Sequence, residues 1–83
     1  MLNPFTQWHT ERGLTPAQAA VAAGVARSSI YALENGTATR FHYKVFALIA
    51  STDGEERAES IQMQWTLWHA ELRSKMRQTI MRP

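Results

Sequence analysis

Residues 14–36 constrain the fold more than any other part of this 83-residue chain. Their sequence is LTPAQAAVAAGVARSSIYALENG, which places Gly24 between two stretches with helical patterns. Glycine adopts a left-handed backbone at little steric cost, so Gly24 predicts a tight turn. Pro16 suits the first position of a helix, and Thr15 with Gln18 forms a capping box before it. The segment therefore predicts two short helices joined by a turn.

The second of these helices has an apolar side and a polar side. Val25, Ile30 and Leu33 mark the buried side, and the helix ends in Leu-Glu-Asn-Gly at residues 33–36. This arrangement, including its ending, resembles the helix-turn-helix of the lambda-repressor and Cro-type family. The resemblance covers about residues 3–52 and implies sequence-specific binding of double-stranded DNA.

Composition excludes several other kinds of protein. The chain has no cysteine, which excludes disulfide scaffolds and thiolate metal sites and suits a reducing compartment. No apolar run approaches the length of about 18 residues that a membrane span needs. The first residues lack the basic and apolar regions of a signal peptide. We therefore expect a cytoplasmic protein of one domain that does not associate with membranes.

The distribution of charge says more than the net charge of +2. Residues 1–50 contain four basic side chains and two acidic ones. Three of the four bases, Arg27, Arg40 and Lys44, lie in or just after the second helix of the motif. A phosphate-binding face requires such a positive patch, although an ordinary solvated surface is an alternative.

The helical pattern along the chain predicts an all-α fold of five helices. The predicted helices span Pro4–Arg12, Pro16–Ala23, Arg27–Glu34, Arg40–Ala50 and a long stretch from Asp53 to about Thr79. Thr39 is the expected cap of the fourth helix, and Asp53 with Glu56 is the expected capping box of the fifth. We divide the single domain into a helix-turn-helix core, residues 1–52, and a C-terminal helix for packing and dimerisation, residues 53–83.

The resemblance also assigns candidate DNA contacts. By the family's pattern, the base-reading positions are Ala26, Arg27, Ser28, Tyr31 and Ala32. Arg27 is the strongest candidate because a guanidinium pairs bidentately with guanine. The implied phosphate-binding residues are Gln18, Asn35, Gly36, Thr37, Thr39, Arg40 and Lys44. The chain departs from the pattern at Pro16, which replaces a phosphate-clamping glutamine, and at Ala26, which replaces a serine or threonine cap.

One further contact is implied by the resemblance. In that family a basic residue four positions before the glycine that ends the first helix often pairs with the glutamate of the Glu-Asn-Gly ending. His9 and Glu34 occupy these positions here, so we expect a hydrogen bond between the first and third helices. The alternative is a solvated histidine beside a surface carboxylate.

The predicted C-terminal helix is apolar on two faces. One stripe, within about 80° on a helical wheel, contains Ile61, Trp65, Trp68, Leu72 and Met76. Nearly opposite lie Met63, Leu67, Ala70 and Met81. We expect the first face to pack on its own domain and the second to form a homodimer, since operators read by this motif are commonly two-fold symmetric. The alternative is that the second face holds only scattered surface residues.

Acidic and basic residues concentrate at opposite ends of this helix. The acids are Asp53, Glu55, Glu56 and Glu59, and the bases are Arg73, Lys75, Arg77 and Arg82. This asymmetry favours an antiparallel arrangement of two copies, although it also complements the helix dipole.

An enzyme is not expected from this sequence. His9, His42 and His69 lack partners at metal-ligand spacing, so we expect neither a metal nor another cofactor. Serine nucleophile motifs, glycine-rich phosphate loops and paired inward carboxylates are absent from the sequence. The expected function is a Cro- or repressor-like transcriptional regulator that binds a palindromic operator, with a phage or mobile element as the suggested source. The alternative is an antitoxin or adaptor that binds a protein partner through the C-terminal helix.

Overall fold

The structure, a computed structural model, describes residues 2–81 of the chain, with the side chains of residues 2–78. Within residues 2–81 it contains five helices and no strand, which confirms the predicted all-α fold with a long C-terminal helix. The helices are α1 (Pro4–Glu11), α2 (Pro16–Ala23), α3 (Arg27–Asn35), α4 (Tyr43–Asp53) and α5 (Glu55–Met81).

Local signals in the sequence account for the ends of the first three helices. Asn3 caps α1 by accepting from two backbone amides, and Thr15 with Gln18 forms the predicted capping box of α2. Gly24 and Gly36 end α2 and α3 in the left-handed conformation, with φ of 73° and 83°. The two helices and the turn of residues 14–36 therefore form as predicted.

The predicted start of α4 at Arg40, with Thr39 as its cap, is wrong. The helix begins at Tyr43, and the Lys44 amide donates to Nδ1 of the capping residue His42 at 3.1 Å. The reason is tertiary, because the side chain of Phe41 enters the core and the chain beside it stays extended. A helix that began at Arg40 would have placed Phe41 in its first turn.

The predicted role of Asp53 as the cap of the last helix is also wrong. Asp53 is the final residue of α4, and α5 begins at Glu55 after Gly54, whose φ of 94° favours glycine. The Asp53 carboxylate accepts a hydrogen bond from Trp8 Nε1 at 2.7 Å and forms an ion pair with Arg12. Asp53 therefore links the end of α4 to α1.

The hydrophobic core draws on all five helices and on the segment before α4. Its buried members are Phe5, Trp8, Ala19, Ala20, Ile30, Leu33, Phe41, Val45, Ile49, Ala58, Ile61 and Trp65. The ring of Phe41 lies 6.2 Å from that of Phe5 and 5.7 Å from that of Trp65, measured between centroids. These three aromatic rings pack against one another within the core.

The inner face predicted for α5 is buried along only part of its length. Ile61 and Trp65 are buried, Trp68 and Leu72 are half-buried, and Met76 is 56% exposed. The burial decreases because this helix of 27 residues extends beyond the shorter helices against which it packs, chiefly α4 and α1. In the described part of the chain, no helix combines the length and apolar character needed to cross a bilayer.

Candidate nucleic-acid interface

The polar side of α3 faces solvent while its apolar side completes the core. Ile30 and Leu33 are fully buried. Arg27, Ser28 and Tyr31, three of the predicted base-reading residues, are exposed. Of the other two predicted base-reading residues, Ala26 is exposed and Ala32 is half-buried. The amino-terminal half of α3 therefore presents short or flexible side chains that allow a close approach to a DNA groove.

The predicted phosphate-binding residues lie in α2, at the end of α3, in the segment after it and in α4. Gln18, Asn35, Thr37, Thr39, Arg40 and Lys44 are exposed, and Gly36 is half-buried. Lys44 Nζ lies 3.5 Å from the carbonyl oxygen of Gly24, which places this cation beside the turn between α2 and α3. Gln18 Oε1 accepts from the Thr15 amide at 2.9 Å, so this side chain also serves the cap of α2.

Two backbone amides among the predicted phosphate contacts already donate within the protein. The Gly36 amide donates to the Ala32 carbonyl at 3.1 Å, and the Thr37 amide donates to Asn35 Oδ1 at 3.0 Å. A DNA phosphate would have to replace or share these bonds. The exposed side chains of Arg40 and Lys44 are better placed to bind phosphate because they are cationic and reach into solvent.

The segment of the chain that contains α2, α3 and the start of α4 is almost free of acidic residues. Glu34 is the only acidic residue between positions 12 and 52. Its carboxylate Oε1 lies 2.7 Å from His9 Nε2, which confirms the predicted contact between the first and third helices. The contact directs this carboxylate toward α1, away from the exposed side of α3 that carries Arg27. An anionic ligand at that side therefore meets little repulsion.

The carboxyl end of α3 is held by side chains from α1 and α5. Asn3 Nδ2 donates to the carbonyl oxygens of Leu33 and Glu34, each at 2.9 Å. Trp65 Nε1 donates to the same Leu33 oxygen at 3.0 Å. The last carbonyls of a helix lack partners within the helix, so these bonds satisfy them and fix the end of α3.

His42 and Tyr43, which the sequence interpretation did not include, also border this interface. Their rings stack with centroids 5.2 Å apart and an angle of 19°. Tyr43 is 74% exposed. Both residues line a shallow cleft together with Ser29 and Ala32 of α3. The sequence signal for this pair is weak, because histidine is an uncommon helix cap and the local pattern predicts a start of α4 at Arg40.

The face of α5 opposite the core exposes large apolar side chains. Met63 is 67% exposed and Leu67 is 55% exposed, and Ala70 is exposed beside them. Met63 and Leu67 line a shallow groove together with Glu59, Gln62 and Thr66. The side chain of Met81, the fourth residue predicted for this face, lies outside the described residues.

Comparison with known families agrees with this geometry. A family model described as a helix-turn-helix domain matches residues 7–59, which is more than half of the chain. The chain belongs to this helix-turn-helix family. Membership confirms the resemblance to lambda-repressor and Cro-type proteins and indicates that the chain binds DNA. Domains of this family are typically non-enzymatic. No curated protein and no solved structure gives a significant match.

The family match ends early in the last helix of this helix-turn-helix protein. Residues 7–59 include α2, α3, α4 and the start of α5. Trp65, which bonds to the end of α3, lies beyond the matched segment, as do the exposed Met63 and Leu67. Most of α5 is therefore an addition to the part of the chain that the family model describes.

Proposed function

We propose that the protein is a Cro- or repressor-like transcriptional regulator that binds a palindromic operator in double-stranded DNA as a homodimer. The observation that carries this proposal is the exposed amino-terminal half of α3, with Arg27, Ser28 and Tyr31 on one surface. In helix-turn-helix proteins the second helix of the motif reads base edges in the major groove. A DNA-binding regulator also agrees with the cytoplasmic location expected from the sequence.

Arg27 is the proposed centre of base reading. Its guanidinium is exposed in the first turn of α3, and this group binds the O6 and N7 atoms of guanine in the major groove. Ser28 and Tyr31 are proposed to contact neighbouring bases, and Ala26 and Ala32 to pack against them. Arg40 and Lys44 are proposed to bind the flanking phosphates, with Gln18, Asn35 and Thr39 contributing polar contacts.

A salt series tests the DNA-binding part of the proposal. Fluorescence anisotropy of a labelled duplex should show binding whose affinity falls linearly with the logarithm of salt concentration. Selection from a random duplex pool should then yield a two-fold symmetric sequence with half-sites about one helical turn apart. Failure to bind any duplex at low salt would contradict the proposal.

The homodimer is proposed to form through the exposed face of α5, with Met63, Leu67 and Ala70 at its centre. Two exposed apolar side chains one helical turn apart form a surface that a second copy can cover. Charge favours an antiparallel pairing, because Glu55, Glu56 and Glu59 lie at one end of α5 and Arg73 and Arg77 at the other. Crossing two helices in opposite directions brings acids near bases.

Sedimentation of a charge-matched pair of variants tests the dimer. Met63→Glu with Leu67→Glu should convert a dimer into a monomer at micromolar concentration, since it places carboxylates on the apolar face. The control is Ser60→Glu with Gln64→Glu, which adds the same charge at the same spacing on a neighbouring exposed side of the helix. A wild-type chain that is monomeric at high micromolar concentration would contradict the dimer and leave DNA binding untouched.

A second candidate function is an antitoxin or adaptor that holds a different protein through the same face. The exposure of Met63 and Leu67 favours it, because such a surface also suits a foreign partner. The two functions differ in their DNA dependence. A pure adaptor would show no salt-sensitive binding to duplex DNA, whereas the proposed regulator would show it without any added protein.

A further inference from the structure

We propose that His69 and Trp65 of α5 are positioning residues for DNA binding, because they fix the end of α3 and the first peptide of the loop that follows it. This inference rests on the proposed DNA-binding function. Both residues lie beyond residues 7–59, the segment that the family model matches. The inference therefore gives the long last helix a role at the interface, in addition to its role in the core.

His69 contacts Gly36, the residue that caps the carboxyl end of α3. Its Nε2 lies 3.0 Å from the carbonyl oxygen of Gly36. A carbonyl oxygen can only accept, so Nε2 carries the proton and donates. The residue is 8% exposed, and its ring stacks on Trp65 with centroids 4.8 Å apart and an angle of 14°. The donor is thus held in one orientation by packing.

The peptide between Gly36 and Thr37 is held at both of its polar ends. Its carbonyl accepts from His69, and its amide donates to Asn35 Oδ1 at 3.0 Å. Thr37 Oγ1 donates to the same Asn35 oxygen at 2.7 Å. Rotation of this peptide would break bonds on both sides, so its plane is fixed. The direction in which the chain leaves α3 is fixed with it.

Trp65 forms a similar hydrogen bond to a carbonyl oxygen three residues before Gly36. Its Nε1 donates to the Leu33 carbonyl, which also accepts from Asn3. Trp65 is 1% exposed, so this bond is shielded from water. Together, Trp65 and His69 bond to carbonyl oxygens on both sides of the last residues of α3. The end of α3 and the first peptide of the loop are therefore both bonded to α5.

The close approach of α5 leaves no free space for a side chain at position 36 unless Leu72 moves. A Cβ atom built on Gly36 would overlap Leu72 Cδ2 and would lie 3.4 Å from Trp68 Cη2. The carbonyl of Gly36 is thus brought to His69 by a backbone that lies directly against α5. The close packing of the Gly36 backbone on α5 is independent support for a specific contact between the loop and the last helix.

The loop fixed in this way contains proposed phosphate contacts. Thr37, Thr39 and Arg40 follow Gly36 directly, and all three are exposed. Their position relative to Arg27 depends on the angle at which the chain leaves α3. Loss of the His69 bond should therefore weaken phosphate contacts and affect all DNA sequences alike, because phosphates are common to all of them.

The test compares two substitutions at position 69 in the full chain. His69→Phe keeps a ring that can stack on Trp65 but removes the donor. It should weaken binding to a mixed-sequence duplex about three- to tenfold and lower the salt slope by about one. His69→Gln supplies an amide donor at a similar distance along the side chain and should recover most of the affinity. Wild-type affinity in His69→Phe, or equal loss in both variants, would overturn the inference.

Ile61→Val supplies the control for a merely structural effect. Ile61 is buried on the same helix at 2% exposure, and no hydrogen bond joins its side chain to residues 33–36. This variant should loosen the packing of α5 and leave DNA affinity at the wild-type value, measured at a temperature where all variants are folded. A loss of affinity equal to that of His69→Phe would overturn the inference, because packing alone would then explain it.

Hydrogen exchange separates failure of this inference from failure of the proposed function. The Thr37 amide should exchange faster in His69→Phe, while the Val25 amide, which donates to Ala20 in the other turn, should keep its wild-type rate. If the wild-type chain bound no duplex, the proposed function would fail and this comparison would still decide whether His69 fixes the loop. Unchanged exchange at Thr37 would overturn the positioning role.

Discussion

His9 Nε2 lies 2.7 Å from Glu34 Oε1, and this contact joins α1 to the last turn of α3. Nδ1 of the same ring lies 2.9 Å from the Leu14 carbonyl oxygen. A carbonyl only accepts, so Nδ1 donates to it while Nε2 faces the carboxylate. The His9 side chain is only 6% exposed, so water does not compete freely for these bonds. One side chain therefore ties α1, the loop after it and α3 together.

The first prediction is that this pair stabilises the fold more than a surface ion pair does. Glu34→Gln should lower the free energy of unfolding by about 1–2 kcal/mol, since it replaces the carboxylate that faces the buried His9 ring by a neutral amide. Urea unfolding measures the change. The matched control is Glu11→Gln, which breaks an exposed contact with Arg57 at 3.6 Å and should cost less than about 0.5 kcal/mol. Equal midpoints for the two variants would contradict the prediction.

The second prediction separates backbone strain from crowding at the end of α3. Gly24 and Gly36 have similar left-handed φ angles, 73° and 83°, but a Cβ atom would have open space at Gly24 and would overlap Leu72 at Gly36. Replacing either glycine by alanine should lower the free energy of unfolding by about 1–2 kcal/mol, because alanine is strained in a left-handed backbone. Gly36→Ala should lose more, because Leu72 must also move.

Chemical denaturation of both glycine variants, alone and combined with Leu72→Ala, tests this account. The excess cost of Gly36→Ala over Gly24→Ala should shrink when Leu72 is shortened, since the crowding atom is then absent. Identical losses for the two glycine variants, or an excess that persists without the leucine side chain, would show that α5 does not crowd this turn.

Local signals in the sequence are enough to predict the helix-turn-helix and the polar side of α3. Capping by Thr15 and the turn at Gly24 depend on neighbours within a few residues, so the pattern predicts them. The start of α4 depends on the burial of Phe41 against Phe5 and Trp65, which lie far away in sequence. No local pattern carries that information.

Longer-range contacts explain the other differences between expectation and structure. Asp53 follows the rule for a helix cap, but Trp8 is 45 positions away and binds its carboxylate. The sequence around His69 shows only that it lacks partners at metal-ligand spacing, whereas in the structure it donates to the Gly36 carbonyl, 33 positions earlier. This contact depends on how α5 crosses the end of α3, which periodicity does not specify. Helical periodicity predicts the exposed apolar face around Met63. That a second copy of the chain covers this face stays a prediction.

The third prediction is that the segment matched by the family model cannot fold without the rest of α5. A chain ending at residue 59 lacks Ile61 and Trp65, which are 2% and 1% exposed in the intact domain. Loss of two such side chains should lower the free energy of unfolding by several kcal/mol, on the order of the whole stability of a small domain. Circular dichroism should show no cooperative thermal transition for this truncated chain.

A chain ending at residue 77 is the control for that truncation. It keeps every residue of α5 that the structure describes as buried, from Ala58 to His69. Its melting temperature should lie close to that of the full chain at a concentration below dimerisation. A cooperative, near-native transition for the chain ending at residue 59 would show that α5 is dispensable for the core.

The central claim is that the exposed side of α3 reads DNA sequence, and the affinity of Arg27→Ala for the selected operator tests it most directly. The account predicts a loss of about 1–3 kcal/mol at that operator and a relaxed preference at one base pair. Arg40→Ala, as the control for a phosphate contact, should weaken all duplexes alike and lower the salt slope by about one. Unchanged affinity and unchanged base preference in Arg27→Ala would contradict the claim.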